Sequence, residues 1–211
     1  MLRRLTGRRS MAERYLERGL HHLDKGEYED ALADVSAAIA LEPYNAELYA
    51  TRGFIYLESG ADNPAYADYA QEDLEYALYL DPEQWVAEYC LGMMAYAEGD
   101  YHEALRRFNA AYERAPLRPE VYYYRALCHN QLGDPAQAAA EMELAIDLFP
   151  RRDSRKRDAR KWLRMFKKAA KSRRGQRVGR RASGALPPGR PSVTEAAALV
   201  SSRNDSAAKD E

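Results

Sequence analysis

Two cysteines in 211 residues, Cys90 and Cys128, form no CxxC pair and no disulfide framework; they fit a reducing cytoplasm. The four histidines, His21, His22, His102 and His129, lie in different segments or side by side, and none stands at metal-ligand spacing from a cysteine or carboxylate. Cys128 and His129 are neighbours, but adjacent residues on a helix point about 100° apart, so they do not form a nucleophile and its base by themselves. No glycine loop of the phosphate-cradling kind is present, and no window approaches the roughly 18 apolar residues of a membrane span. The first ten residues carry Arg3, Arg4, Arg8 and Arg9 without the apolar stretch of a secretory signal. Together these absences point away from an enzyme, a cofactor or metal protein and an exported protein, and toward a soluble cytoplasmic one.

The net charge of -1 conceals an asymmetry. Between Ala12 and Pro150 there are 9 Lys+Arg against 27 Asp+Glu, whereas between Arg151 and Ala182 there are 16 against 2. An acidic body is followed by a basic tail. Hydrophobic residues make up 46% of the chain, enough to bury a core.

What the body contains is a repeat. Pro43, Pro82, Pro116 and Pro150 fall 39, 34 and 34 residues apart, each just after a helical pattern ends, where a residue that cannot continue a helix serves as punctuation. Twelve residues before each proline stands an alanine (Ala31, Ala70, Ala104, Ala138), and five before it another (Ala38, Ala77, Ala111, Ala145). Gly19, Gly53, Gly92 and Ala126 come earlier in each unit. Small residues in phase let two helices approach closely. Gly26, Gly60, Gly99 and Gly133 stand where the first helix must end in a left-handed residue, and Asp100 and Asp134 follow as N-caps.

Small residue, aromatic, turn glycine, alanine, bulky apolar residue and closing proline, repeated four times, resemble the tetratricopeptide repeat. The unit from Trp85 to Arg118 matches best, with Leu91-Gly92, Gly99-Asp100-Tyr101, Ala104, Phe108, Ala111 and Pro116. The second unit departs from the pattern by five extra residues around Ala61 to Ala65, with Asn63-Pro64 among them. The resemblance implies an all-α fold, a right-handed α-solenoid of four helix-turn-helix hairpins (12–45, 46–84, 85–118 and 119–152) behind a basic extension at residues 1–11. A basic amphipathic helix over 153–174 is expected to cap the last hairpin, since Ala159, Trp162, Leu163, Phe166, Ala169 and Ala170 recur on one face. Residues 175–211, rich in Arg, Gly, Ser, Pro and Ala, read as disordered.

The resemblance also implies that the first helix of each hairpin lines a concave face. Its residues there are Leu16 and Leu20, then Phe54 and Leu57, then Tyr89, Met93 and Tyr96, then Tyr123 and Leu127, an apolar and aromatic groove with acids such as Glu13, Glu47, Glu58 and Glu120 close by. Such a groove suits a protein or peptide segment that is amphipathic and carries basic residues; packing of the same side chains as core is the alternative. The lysine, asparagine and arginine clamp with which chaperone-docking members hold a C-terminal carboxylate is absent, since Leu16, Leu20, Thr51, Val86 and Cys90 occupy those positions. A non-catalytic protein–protein interaction scaffold is therefore expected. A second reading rests on the basic tail, Arg173, Arg174, Arg177, Arg180 and Arg181, which can attract nucleic acid or anionic lipid without sequence preference.

Overall fold

The computed structural model describes residues 10–59 and 65–175. Gly60, the Asn63-Pro64 insertion, most of the N-terminal extension and the tail beyond Gly175 lie outside the described residues. Those described form nine α-helices and no strand: α1 (Met11–Asp24), α2 (Tyr28–Leu41), α3 (Ala46–Ser59), α4 (Ala65–Leu80), α5 (Trp85–Glu98), α6 (Tyr101–Arg114), α7 (Pro119–Gln131), α8 (Pro135–Leu148) and α9 (Arg155–Gly175). None is long and apolar enough to cross a membrane. They group into two compact units, one reaching Ala87 and the other starting at Glu88, inside α5.

Helix ends follow the local chemistry. Ser10 and Glu13 form a reciprocal capping box at the start of α1, each side chain accepting from the other's backbone N–H. Asp100 and Asp134 accept from the N–H of Glu103 and Gln137, both at 3.0 Å, and so cap α6 and α8. Asp153 does the same for Arg155 at 2.9 Å. Gly26, Gly99 and Gly133 take φ of 74°, 85° and 87°, the left-handed values that end α1, α5 and α7. The second helices end alike, with the N–H of Glu42, Asp81, Ala115 and Phe149 donating to the carbonyls of Ala38, Ala77, Ala111 and Ala145, each at 2.9 Å.

In the first unit α1 pairs with α2 and α3 with α4, and α2 also packs on α3. Leu23, Val35, Ile55 and Leu74 are fully buried there. A Cβ on Gly53 would lie 2.8 Å from Leu74 Cγ and 3.0 Å from the Ala70 carbonyl oxygen; one on Gly19 would lie 2.9 Å from Val35 Cγ2. In the second unit α5 meets α6, where a Cβ on Gly92 would sit 2.8 Å from the Phe108 ring. There α6 packs on α7, α7 on α8 and α8 on α9. All eight repeat alanines are at 0% exposure, so a larger side chain at any of them has nowhere to go. On α9, Ala159 and Phe166 are buried and Trp162 stacks on Phe166 at 5.7 Å, while Arg160, Lys161, Arg164, Lys168 and Lys171 face solvent.

Gly53→Ala should lower stability by about 1–3 kcal/mol, because overpacking against a backbone carbonyl outweighs the ~1 kcal/mol that alanine gains in helix propensity. Urea unfolding checks this, and a variant at least as stable as the parent would mean that the hairpin is not closed at that point.

Candidate functional site

A charged pair joins the two helices of every hairpin. In the first, the Arg18 guanidinium holds both oxygens of Asp34. The second has Arg52 Nε and an Nη on Asp73 at 2.7 and 2.8 Å. In the fourth, Arg125 donates to Glu141 at 3.0 Å, and Glu141 is 4% exposed. The arginine stands one residue before the small residue of the first helix, and the acid three residues after the first repeat alanine. Each of these arginines also lies over a tyrosine three residues earlier, Arg18 over Tyr15, Arg52 over Tyr49 and Arg125 over Tyr122, at 5.1, 5.7 and 5.8 Å. Tyr49 and Tyr122 donate in turn to the carbonyls of Pro43 and Pro116.

The third hairpin inverts the arrangement. Leu91 takes the arginine's place, Arg107 the acid's and Glu88 the tyrosine's. Arg107 on the second helix then donates to Glu88 on the first at 3.1 Å. Three substitutions in concert keep the cross-helix attraction with its polarity reversed. This device was missed from sequence, although its signal, arginine before the small residue in three of four units, was there to be read.

The residues expected on the concave face divide by burial. Phe54, Tyr89 and Leu127 are 3%, 2% and 7% exposed and belong to the packed interior. Leu16, Leu20, Leu57, Met93, Tyr96 and Tyr123 are half-buried. Tyr89 and Tyr123 occupy the same repeat position yet differ, because Tyr89 is covered by Phe108 and Tyr124, at 5.8 and 5.7 Å between ring centroids, while Tyr123 meets the flank of Tyr124 and Phe149, at 5.7 and 6.5 Å. In the second unit Met93 and Tyr96 from α5 and Tyr123 from α7 thus remain partly open. Glu120, expected to add negative charge near the groove, is 7% exposed and bound by Arg155 of α9 at 2.9 Å, so its charge is neutralised. Of the basic residues, Arg173 and Arg174 fall in the last turn of α9, where side chains are outside the described residues, as are Arg177, Arg180 and Arg181 entirely.

The reactive side chains are quiet. Burial pushes the Cys128 thiol up to about 12, so it stays protonated, and burial lowers His129. Against the expectation that no histidine has a carboxylate at ligand distance, the turn after α1 brings His22 Nδ1 within 2.6 Å of Glu27, with Asp30 beside them. The hydrogen bond from His22 holds Glu27 below the usual carboxylate range.

A family model for the tetratricopeptide repeat matches residues 89–153. Residues 89–153 are thus similar to that repeat family, and the described hairpins before them repeat the same pattern. Its fold is similar to that of TTC0263, a thermophilic protein with these repeats from Thermus thermophilus, with a TM-score of 0.60, 19% identity, and coverage of 75% of this chain and 80% of that one. MamA from Desulfovibrio magneticus RS-1 is similar at a TM-score of 0.53 and 22% identity, over 80% of this chain and 98% of the other. Among curated proteins, the Hsp70-Hsp90 organizing protein of Triticum aestivum is 33% identical over 84 residues, which is 40% of this chain and 14% of that protein. Tetratricopeptide repeat protein 6 of Homo sapiens is 27% identical over 58% of this chain and 23% of its own length. The repeat protein described here thus spans less than a quarter of either curated relative, and its likeness to the solved structures is one of fold.

The paired carboxylates predict an acid response. Arg18 holds Asp34 below its usual range, and Arg106, then Arg107, hold Glu103 down at about 2. Depressed folded-state values mean stability that is present above the unfolded-state values near pH 4 and lost as pH falls toward the folded ones. Melting temperature should therefore drop between about pH 5 and pH 2, and Asp34→Asn should flatten part of that slope while lowering stability at pH 7; an unchanged slope would show that Asp34 is not held in this way.

Proposed function

We propose that this protein is a non-catalytic interaction scaffold that captures an amphipathic or apolar peptide segment on the first-helix face of its hairpins. The observation that carries this reading is the half-buried apolar set in the second unit, Met93, Tyr96 and Tyr123, on helices whose other faces are committed to hairpin packing. Two large, stiff tyrosines beside an adaptable methionine, each with part of its surface in water, are the kind of side chains that concentrate binding energy once a partner desolvates them. The likeness of residues 89–153 to the tetratricopeptide repeat supports the same reading, as does the Cys128 thiol, which burial keeps out of nucleophilic chemistry.

The test contrasts two side chains of one helix. Met93→Ala should weaken partner capture by about 1–3 kcal/mol, roughly 5- to 150-fold, with melting temperature little changed. Tyr89→Ala should instead destabilise the fold by about 3–5 kcal/mol, since its ring lies in the core. Capture is measured by affinity isolation after nuclease treatment, followed by titration of the recovered protein. Met93→Ala with full folding and undiminished capture would move the docking face elsewhere.

A second reading is favoured by the cationic face of α9, where Arg160, Arg164, Lys168 and Lys171 are exposed. Here the protein would touch an anionic polymer or membrane surface as an accessory to its scaffold role. Binding to duplex DNA or to anionic vesicles should then fall steeply as salt rises from about 50 to 200 mM, because counterion release drives it. Binding that ignores salt would sink this reading.

A further inference from the structure

The second hairpin presents tyrosines that its own packing does not consume. On α4, Tyr66, Tyr69, Tyr76 and Tyr79 follow one another at steps of three and seven residues, along one stripe of helix surface. Tyr49 and Tyr56 of α3 join them, and two clusters result. In one, Tyr56 lies 5.2 Å from Tyr66 and 5.5 Å from Tyr69. In the other, Tyr76 meets Tyr49 edge to face at 4.7 Å and lies nearly parallel to Tyr79 at 5.9 Å. The Tyr49 hydroxyl donates to the Pro43 carbonyl at 3.1 Å, which fixes this ring beside the turn that carries Tyr44. Tyr69, Tyr76, Tyr79 and Tyr44 are 49%, 36%, 80% and 81% exposed, so each offers ring surface to a partner.

Charge narrows what can cover these rings. α4 carries Asp68, Glu72, Asp73 and Glu75 and neither lysine nor arginine. Asp73 is bound by Arg52, but Glu72, three residues after Tyr69 and four before Tyr76, is exposed on the same stripe. Such a field repels nucleic acid and other phosphate-bearing partners. Tyrosine rings beside a carboxylate attract guanidinium groups, through the ring quadrupole and through charge together. Aromatic-lined surfaces also accommodate proline-rich segments, whose extended left-handed helix is already formed before they bind.

Spacing narrows it further. Tyr69 and Tyr76 stand seven residues apart on α4, about 10.5 Å at the helical rise. A polyproline II helix repeats every three residues, about 9.3 Å, so arginines at every third position meet the two clusters in step. We propose that the tyrosine face of the second hairpin docks a proline-rich segment of another protein that carries an arginine at every third residue, with one guanidinium on each cluster and Glu72 between them. The face lies within the first unit, and it uses none of Met93, Tyr96 and Tyr123, the residues invoked above for capture of an apolar segment.

The experiment titrates the full chain against a fluorescently labelled peptide of three Pro-Pro-Arg repeats and follows anisotropy at low salt. Saturable binding is expected, and a peptide of three Gly-Gly-Arg repeats, equal in charge but not pre-ordered, should bind on the order of tenfold more weakly. Tyr79→Ser should weaken binding of the proline peptide on the order of tenfold, and Glu72→Gln by about threefold. Both side chains are exposed, so melting temperature should match the parent's; if Tyr79→Ser melts lower, Glu72→Gln decides alone. Met93→Ala should bind the peptide as the parent does. The proposal is overturned by a parent that does not saturate, by equal affinity for the two peptides, or by parent-like affinity in the deciding variants. Loss of affinity in Met93→Ala overturns it by moving the peptide to the other groove. So does a parent that sediments as a dimer and becomes a monomer on Tyr79→Ser, since the face then belongs to a second copy.

Discussion

Everything in this protein depends on how closely two helices can approach. At Gly19, Gly53 and Gly92 the space a Cβ would occupy is already filled, by Val35, by Leu74 with the Ala70 carbonyl, and by Phe108. The fully buried alanines complete the contact from the other side. Interhelical distance is set by the side chains at the contact, so removing them brings the backbones together and lets short arms such as aspartate reach across. The cross-helix charged pairs stand beside these contacts, one residue from the small residue on one helix and three from the alanine on the other. Steric closeness creates the site, and the charged pair then fixes the register. A part-buried ion pair adds little net stability, yet removing either partner strands the other, so the pairs specify which faces meet more than they hold the faces together.

Much of this was legible in the sequence because the repeat is a sequence property. Prolines, alanines and turn glycines mark the helix boundaries directly, and Asp100 and Asp134 cap where their spacing says they should. The burial of individual first-helix residues was not legible. Tyr89 and Tyr123 look alike in the repeat, but what covers each is decided by the next element, Tyr124 in one case and Phe149 in the other. Glu120 reads as a groove acid until Arg155, 35 residues away, is seen to take it. Periodicity reports which face of a helix points inward; it does not report how thickly that face is covered.

The same distinction separates the two ends of the molecule's chemistry. Residues with strict repeat spacing are structural, as the alanines are. Residues that break the repeat carry its individuality: the tyrosines of α4 and the basic face of α9 have no counterparts at equivalent positions elsewhere in the chain. A repeat supplies a stable frame, and recognition is written in what the frame does not demand.

The inverted third hairpin bears on how an array of similar helices avoids exchanging partners while it folds. If α7 closed on α6 as its hairpin partner in place of α8, Arg125 would face Arg107; if α8 closed on α5, Glu141 would face Glu88. Each mistaken pairing sets like charges together at the closest point of contact, where little water screens them. The reversal thus works as an address label within the second unit. The first unit has no such label, since Arg18 and Arg52 both face an aspartate, Asp34 and Asp73, and there the charges alone do not distinguish one second helix from the other.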